Sequence, residues 1–415
     1  MFLVQSCEIM CTKERGDSMQ DTGNTTMNER TSVLYNGSYC AGDTLKPEAP
    51  PIYMTTAFEM ANLEYLKAVD SVGGYSYGRG TNPTRDALAE QISQSENAEQ
   101  TVLFSAGMGA ITATIMTFVK AGDHVVANRD MYGETIDFLT NYLSAFKVEV
   151  TYVDFTDLDA VSAAVRPNTK MFYSEVLSNP LTKIVDIREI SKIAHACGAL
   201  YVVDSTFTTP IVIKPLNFGV DLVIHSLTKY FNGHSDASGG SVSGRKELTS
   251  QIKPLMLLLG SSLDAYTSWL ILRGTRTMSM RVRQQNENAL ILARWLEKRP
   301  EVSVVHHPSL ESHPQYELAK ELFSDGYCGA IVTFVINGGV DKIDELLRHL
   351  KLVHYLPSLG GYKTTLSHPV SSSHQDVPEP ERLKMGIHDG MLRISVGCEY
   401  IDDIISDFQQ ALEQI

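Results

Sequence analysis

The chain has 415 residues, of which 43% are hydrophobic and 20% are charged, a composition typical of a folded globular protein. Lys and Arg number 35 against 49 Asp and Glu, and the net charge of −14 argues against a nucleic-acid partner. No apolar run is long enough to span a membrane, so we expect no membrane association. The 6 cysteines form no CxxC pair, which argues against a disulfide framework or a zinc site and favours the cytoplasm.

The chain begins with a polar segment. Roughly the first 30 residues contain little that could be buried, so we predict a disordered or loosely attached extension. Its start, MFLVQSCEIMC, lacks the basic flank of a signal peptide. We predict an N-terminal extension and arm over 1–75, a large domain over 76–268 and a smaller C-terminal domain over 269–415.

Short apolar runs alternate with amphipathic stretches in the large domain. The predicted strands are 101–107, 123–128, 147–154, 169–176, 199–206 and 220–226. A helix predicted over 188–198 ends at Gly198, a residue type that favours helix C-termini. Near-continuous apolar strands separated by helices predict an α/β fold with a mostly parallel sheet, covered on both faces.

The pattern changes after residue 260. A long helical region covers 264–299, apolar segments follow at 330–336 and 391–397, and helical patterns cover 342–350 and 400–415. The last helix has an apolar stripe that we expect to pack on the core, made of Ile401, Ile404, Ile405, Phe408 and Leu412. These elements predict a smaller α+β domain.

A glycine-rich turn follows the first predicted strand, in FSAGMGA. Gly107 and Gly109 open a helix there, and the free backbone N–H groups of a helix start can bind a phosphate. The turn is not a dinucleotide fingerprint, because Thr112 replaces the third glycine, and no GK[ST] follows as in a P-loop. A tight turn packed under the helix, without a ligand, is the more common meaning of such a pattern.

Two charged residues follow predicted strands further along the chain. Asp204 closes ALYVVD, and Lys229 comes 25 residues later, just after VDLVIH. Parallel strands end at one edge of a sheet, where ligands bind, and burial there lowers the pKa of a lysine and frees its amine for a Schiff base. A phosphate cradle, an aspartate and a lysine together meet the needs of pyridoxal phosphate (PLP). The alternatives are a helix cap for Asp204 and a surface position for Lys229.

Nine motifs then stand in the order of one family. They are PPIYMTTAF (50–58), YGRGTNPTR (77–85), FSAGMGA (104–110), YGET (132–135), SNP (178–180), VVDSTF (202–207), HSLTKYFNGHSD (225–236), PSLGG (357–361) and LRISVG (392–397). Over residues 35–415 the chain resembles the Cys/Met-metabolism family of PLP enzymes, which includes cystathionine γ-lyase, methionine γ-lyase and cystathionine γ-synthase. The resemblance implies an aspartate-aminotransferase-like (fold type I) large domain and PLP as cofactor. It also implies a small amino-acid substrate and a homotetramer of two dimers.

The resemblance also implies roles for single residues. Lys229 matches the Schiff-base lysine, which also moves protons, and Asp204 matches the partner of the cofactor's ring nitrogen. Tyr132 matches the tyrosine that stacks on the ring and acts as an acid toward the leaving group. The phosphate-binding positions are Gly107, Met108, Ser226 and Thr228, with Tyr77 and Arg79 reaching across from the neighbouring subunit. Arg393 matches the clamp on the substrate carboxylate, assisted by Asn179 and Ser358.

Four positions depart from the family where the substrate is chosen. Ser76, Asp137 and Lys363 stand where the cystathionine γ-lyases have an acidic residue, an arginine and a glutamate, and Glu134 stands where the methionine lyases have a cysteine. These differences argue against plain cystathionine or methionine as the substrate. One hypothesis is that Glu134 and Asp137 favour a cationic or hydrogen-bond-donating tail. The alternative is that both carboxylates face solvent or pair with Lys363.

We therefore expect a lyase that performs α,γ-elimination on a γ-substituted L-amino acid and releases a 2-oxo acid and ammonia. The alternative is a transferase that performs γ-replacement on an activated homoserine ester. A nicotinamide dehydrogenase is disfavoured by the missing GxGxxG, and a non-catalytic relative by the presence of all the matched catalytic residues. His306, His307 and His313 lie close together in sequence, but loop histidines usually face solvent, so we expect no metal.

Overall fold

The computed structural model describes residues 29–35, 47–69, 74–375, 377 and 379–415. Most of the predicted N-terminal extension lies outside the described residues, so its disorder stays a prediction. Two short helices precede the first sheet, α1 (Glu29–Tyr35) and α2 (Leu63–Ala68).

The larger sheet contains seven strands among the described residues, in the order β1-β7-β6-β5-β4-β2-β3. The strands are β1 (Gln100–Phe104), β2 (His124–Asn128), β3 (Glu149–Val153), β4 (Thr169–Glu175), β5 (Leu200–Asp204), β6 (Leu222–Ser226) and β7 (Gly240–Gly244). β7 runs antiparallel to both of its neighbours, and the other strands are parallel to one another. The predicted mostly parallel sheet is therefore confirmed.

Helices cover both faces of this sheet. They are α3 (Pro83–Glu96), α4 (Gly107–Phe118), α5 (Gly133–Asp137), α6 (Leu158–Ala163), α7 (Ile187–Ala196), α8 (Thr209–Val212) and α9 (Lys246–Leu259). Adjacent residues of β5 face opposite cores: Val203 packs with Ile190 of α7, and Val202 packs with Ile115 of α4. Because side chains alternate along a strand, this two-sided burial accounts for the continuous apolar runs in the sequence.

The C-terminal part contains a second sheet, of five strands in the described chain, in the order β10-β11-β12-β9-β8. Two helices come first, α10 (Ala265–Thr275) and α11 (Met278–Leu296). The elements that follow, in chain order, are β8 (Val302–His306), α12 (Tyr316–Leu322), β9 (Ile331–Ile336), α13 (Gly339–His349), β10 (His354–Tyr355), β11 (Thr365–Ser367), α14 (Glu379–Met385), β12 (Met391–Ser395) and α15 (Ile401–Leu412). The long helical region over 264–299 is thus two helices. The α15 stripe packs on the core as predicted.

The histidines near residue 310 were wrongly expected to face solvent. His307 and His313 are only 1% and 8% exposed, and burial lowers the pKa of each to about 4. Nε2 of His307 donates to the carbonyl oxygen of Gly329 at 3.2 Å, and its Nδ1 accepts from the amide of Ser309 at 3.2 Å. These contacts indicate a structural role. Within the described ranges there is no group of three or more His, Cys, Asp or Glu side chains that could hold a metal.

No helix in the described part of the chain combines the length and the apolar character that a membrane span requires.

Candidate active site

A cavity of about 1370 Å³ opens at the carboxyl ends of the parallel strands. Glu175, Asp204 and Ser226 are the last residues of β4, β5 and β6, and all three line this cavity. Arg393 lines it from β12 of the second sheet. The cavity brings together most of the residues predicted from the sequence: Gly107, Met108, Tyr132, Glu134, Asn179, Asp204, Ser226, Thr228, Lys229 and Arg393.

One side of the cavity, which we call the sheet wall, consists of Gly107, Asp204, Ser226, Thr228 and Lys229. Gly107 is the first residue of α4, a 12-residue helix whose first turn has no side-chain cap. A Cβ atom on Gly107 would lie 3.1 Å from Cβ of Ser226, so the glycine brings the helix start directly against this hydroxyl-bearing residue. Free amides and hydroxyls at a helix N-terminus form a site for a phosphate.

Lys229 lies on the sheet wall and is half-buried. Burial lowers the pKa of its amine, the positive charge of Arg393 lowers it further, and the negative charge of Glu134 opposes both effects. A larger fraction of the amine is therefore unprotonated near neutral pH than in a solvent-exposed lysine. An unprotonated amine is the form that attacks a carbonyl carbon and accepts a proton.

Two carboxylates, of which Glu175 is buried and Asp204 half-buried, lie side by side at the ends of β4 and β5, where they are register partners. Asp204 accepts a hydrogen bond from the Thr206 amide at 2.8 Å, and Glu175 accepts one from the Tyr132 amide at 2.7 Å. Burial raises the pKa of both carboxyl groups, and the charge of Asp204 raises that of Glu175 further. In the described residues neither carboxylate has a cation within 4.0 Å. A cationic ring nitrogen would therefore be stabilised here.

Glu175 was missed in the sequence because it lies inside a stretch interpreted as one continuous strand, TKMFYSEV. The signal was nevertheless present, since a charged residue closes an apolar run in the same way as Asp204. The carboxylate also holds the start of α5 in place through the Tyr132 amide.

A second group of lining residues, which we call the α5 wall, consists of Glu134, Ile136, Asp137, Thr140 and Asn141. Burial raises the pKa of the Tyr132 hydroxyl, and both the charge of Glu134 and a hydrogen bond with its carboxylate raise it further. The hydroxyl therefore stays protonated and can act as an acid. Asp137 accepts a hydrogen bond from Asn141 Nδ2 at 2.6 Å.

Lys363 does not neutralise the α5 wall. It lines a neighbouring smaller cavity, and its Nζ lies 5.6 Å from the centre of the Tyr362 ring. No ion pair in the described residues joins Lys363 to Glu134 or Asp137. Pairing with Lys363 is therefore wrong, whereas Glu134 and Asp137 are both exposed, as the solvent-facing alternative expects.

A serine-rich segment that the sequence did not single out lies against the start of α5. Ser371, Ser372, Ser373 and Gln375 line the cavity. A Cβ atom on Gly133 would lie 2.3 Å from the carbonyl oxygen of Ser373, so only glycine permits this contact. The segment lies far from α5 in sequence, and no local pattern indicates that the two meet.

Arg393 is 5% exposed and carries an unsatisfied hydrogen-bond donor. Its Nη1 donates to Oδ1 of Asn179 at 3.0 Å, and Nη2 lies 3.5 Å from the carbonyl oxygen of Ser358, while Nε has no partner in the part of the chain that the structure describes. Burial lowers its pKa to about 10, so the guanidinium remains charged at neutral pH. A buried guanidinium with a free N–H matches a carboxylate ligand. Ser358 itself lies beside this cavity and lines the smaller one.

Tyr77 and Arg79 lie outside the cavity. Tyr77 is 53% exposed, and Nη1 of Arg79 donates to the carbonyl oxygen of Leu257 at 2.7 Å. The guanidinium also lies 5.8 Å from the centre of the Tyr77 ring. Their expected contact with a neighbouring subunit's cofactor stays a prediction.

The sheet wall fits PLP on three counts. It offers an anion site at the start of α4, a lysine amine with a lowered pKa, and the Asp204 carboxylate, which has no cation within 4.0 Å among the described residues. In PLP the phosphate needs an anion site, the aldehyde needs a neutral amine, and the protonated pyridine nitrogen needs a carboxylate. Fold and site together define a PLP-dependent enzyme.

The chain belongs to the family of Cys/Met metabolism PLP-dependent enzymes, whose family model matches residues 31–413. It is 41% identical over 372 residues to L-methionine gamma-lyase of Fusobacterium nucleatum, covering 88% of this chain and 94% of that protein. It is 40% identical over 341 residues to O-succinylhomoserine sulfhydrylase of Pseudomonas aeruginosa, covering 82% and 84% of the two chains. The crystal structure of cystathionine gamma-lyase from Lactobacillus plantarum matches with a TM-score of 0.88 and 34% identity, covering 94% and 99%. These findings confirm the predicted family, fold type and cofactor.

Proposed function

We propose that this protein is a lyase that eliminates the γ-substituent of an L-amino acid, breaking a bond from carbon to sulfur or another heteroatom. Water is consumed, and the products are a 2-oxo acid, ammonia and the γ-substituent, which leaves with a proton. The observation that carries the proposal is that Lys229, Asp204, Tyr132 and Arg393 line one cavity. The relatives named as γ-lyases support elimination, while the sulfhydrylase keeps γ-replacement as the alternative.

PLP, when bound, takes up the electron pair left on the α-carbon after a proton is removed. In the proposed mechanism Asp204 supplies the negative charge beside the ring nitrogen. The Lys229 amine, with its lowered pKa, accepts the proton of the substrate's α-carbon. After passing that proton to the bound cofactor, the amine would accept one from the β-carbon, and the electron pair left there allows the γ-substituent to leave. Tyr132 holds a proton on its hydroxyl and donates it to the leaving group.

The remaining site residues bind and orient. We assign the phosphate to Gly107, Met108, Ser226 and Thr228, which surround the start of α4. Arg393 binds the substrate α-carboxylate, and Asn179 fixes the guanidinium in position, with the Ser358 carbonyl nearby. Glu134 lies where the γ-substituent leaves.

We further propose a homotetramer of two dimers in which Tyr77 and Arg79 contact the partner's cofactor phosphate. The exposure of Tyr77 outside its own cavity supports this assignment. The two separate sheets support a large domain over 76–268 and a small one over 269–415. The unpaired thiol of Cys328 suits a cytoplasmic location. Mixing Lys229→Ala and Arg79→Ala proteins should restore part of the activity, because a hybrid dimer contains one intact site.

A panel of γ-substituted amino acids tests the reaction. We expect ammonia and 2-oxobutanoate to be released without an added thiol, with both products identified by mass spectrometry. Strict dependence on an added thiol, with a γ-substituted amino acid as the product, would instead establish the replacement reaction.

A further inference from the structure

The α5 wall contains a carboxylate that no cation neutralises. Glu134 lines the cavity, and no described Lys, Arg or His nitrogen lies within 4.0 Å of its carboxylate oxygens. Each carboxylate accepts a hydrogen bond from a neutral group: Glu134 from the Tyr132 hydroxyl, and Asp137 from Asn141 Nδ2 at 2.6 Å. Arg129 also lines the cavity, and its charge lowers the pKa of Asp130 and of Asp154. Glu134 therefore presents an uncompensated negative charge to whatever occupies the cavity.

Glu134 and Arg393 shift the pKa values of the same two groups in opposite directions. The negative charge of Glu134 raises the pKa of Tyr132 and of Lys229, whereas the positive charge of Arg393 lowers both. The reacting groups thus lie within electrostatic reach of a cation on β12 and of an anion on α5. Among the described residues the Arg393 Nε has no hydrogen-bond partner, so it is free to donate to an anionic group. An amino acid whose carboxylate binds Arg393 therefore shares one cavity with the Glu134 carboxylate.

We propose that Glu134 selects substrates whose γ-substituent carries a positive charge or N–H donors, such as an amino or guanidino group. The inference rests on the proposed function, because it concerns the tail of the same substrate. A cationic tail forms charge-assisted hydrogen bonds with the carboxylate. A neutral apolar tail removes water from the carboxylate and returns no partner, which costs free energy.

The test compares two amino acids of equal length, L-ornithine and L-norleucine, which differ by an ammonium in place of a methyl group. Isothermal titration calorimetry on the holoenzyme gives both dissociation constants for the wild type, Glu134→Gln and Glu134→Asp. We expect the wild type to prefer ornithine, Glu134→Gln to lose about tenfold of that preference, and Glu134→Asp to retain most of it. Glu189→Gln removes an exposed charge on α7, outside the cavity, and serves as the matched control.

An ornithine-to-norleucine ratio that is unchanged in Glu134→Gln overturns the proposal. The proposal is also overturned if Glu134→Gln lowers kcat equally for all γ-substituted substrates. Glu134 would then assist proton transfer without recognising the tail. The binding measurement needs no turnover, so its outcome is independent of the reaction. If no amino acid of the substrate panel is converted, the proposed elimination is wrong. The charge preference measured by binding would still stand.

Discussion

The two walls of the cavity differ in how firmly the fold holds them. On the sheet wall, Asp204 and Ser226 end hydrogen-bonded parallel strands, so the register of the sheet sets their positions. On the α5 wall, Glu134 and Asp137 stand exposed on a helix of five residues. The difference indicates that cofactor chemistry depends on the sheet, whereas substrate choice depends on a few side chains of a short helix.

Replacing Lys229 gives the largest expected effect on the sheet wall. In Lys229→Ala the amine is lost, and we expect activity to fall by roughly a thousandfold or more. The visible absorbance that borohydride reduction removes from the wild type should be absent from the start. Lys192→Ala, on the exposed face of α7, should keep both properties. Wild-type activity in Lys229→Ala would remove this residue from the mechanism.

Removing the charge at the end of β5 has the next largest effect. Asp204→Asn keeps the size of the side chain, and we expect kcat to fall about a hundredfold because the ring nitrogen loses its anionic partner. Asp159→Asn, exposed on α6, is the control. Measuring kcat with each protein saturated in PLP separates a loss of catalysis from a loss of bound cofactor. A kcat equal to that of the wild type would show that Glu175 alone supplies the charge.

Replacing Arg393, on β12 of the second sheet, should change substrate binding and leave the cofactor in place. Arg393→Lys retains the charge but loses the planar fork, and we expect KM to rise about 10- to 100-fold. The visible absorbance of the holoenzyme should stay unchanged. A loss of cofactor absorbance in this variant would contradict the separation of the two walls.

The smallest effect is a pH shift that connects the two walls. Arg393 lowers the pKa of Lys229 and Glu134 raises it. Removing the cation in Arg393→Met should therefore raise this pKa, and removing the anion in Glu134→Gln should lower it. Cofactor-free protein rebinds PLP through the neutral amine of Lys229, so the rate of rebinding rises with the neutral fraction of that amine. Its pH profile should move to higher pH in the first variant and to lower pH in the second. Identical profiles in all three proteins would contradict this electrostatic linkage.

Sequence reasoning located the sheet wall well, because apolar runs ended by a polar residue show directly where buried strands end. Asp204 and Lys229 were found in this way. β7 was missed, since GSVSG has no apolar run. Its glycine at 240 is required by packing, as a Cβ there would lie 2.3 Å from the Ala106 carbonyl oxygen.

Residues brought to the cavity from distant parts of the chain could not be found from local patterns. Arg393 lies in the middle of an apolar strand and was identified through the family resemblance alone. The serine segment 371–375 meets α5 only in the folded protein. His307 was misjudged because neighbouring prolines and polar residues suggested a surface loop, whereas Gly329 and Ser309 satisfy its ring nitrogens in the core.

The hydrogen bond from the Tyr132 amide to Glu175 has a consequence for directed evolution. The bond joins the backbone of α5 to the sheet, so it is preserved whichever side chains the helix presents. Libraries at 134, 136, 137 and 140 could therefore redirect the enzyme to new amino acids without discarding its cofactor. Gly133 should stay fixed, since the Ser373 carbonyl oxygen occupies the space of any side chain there.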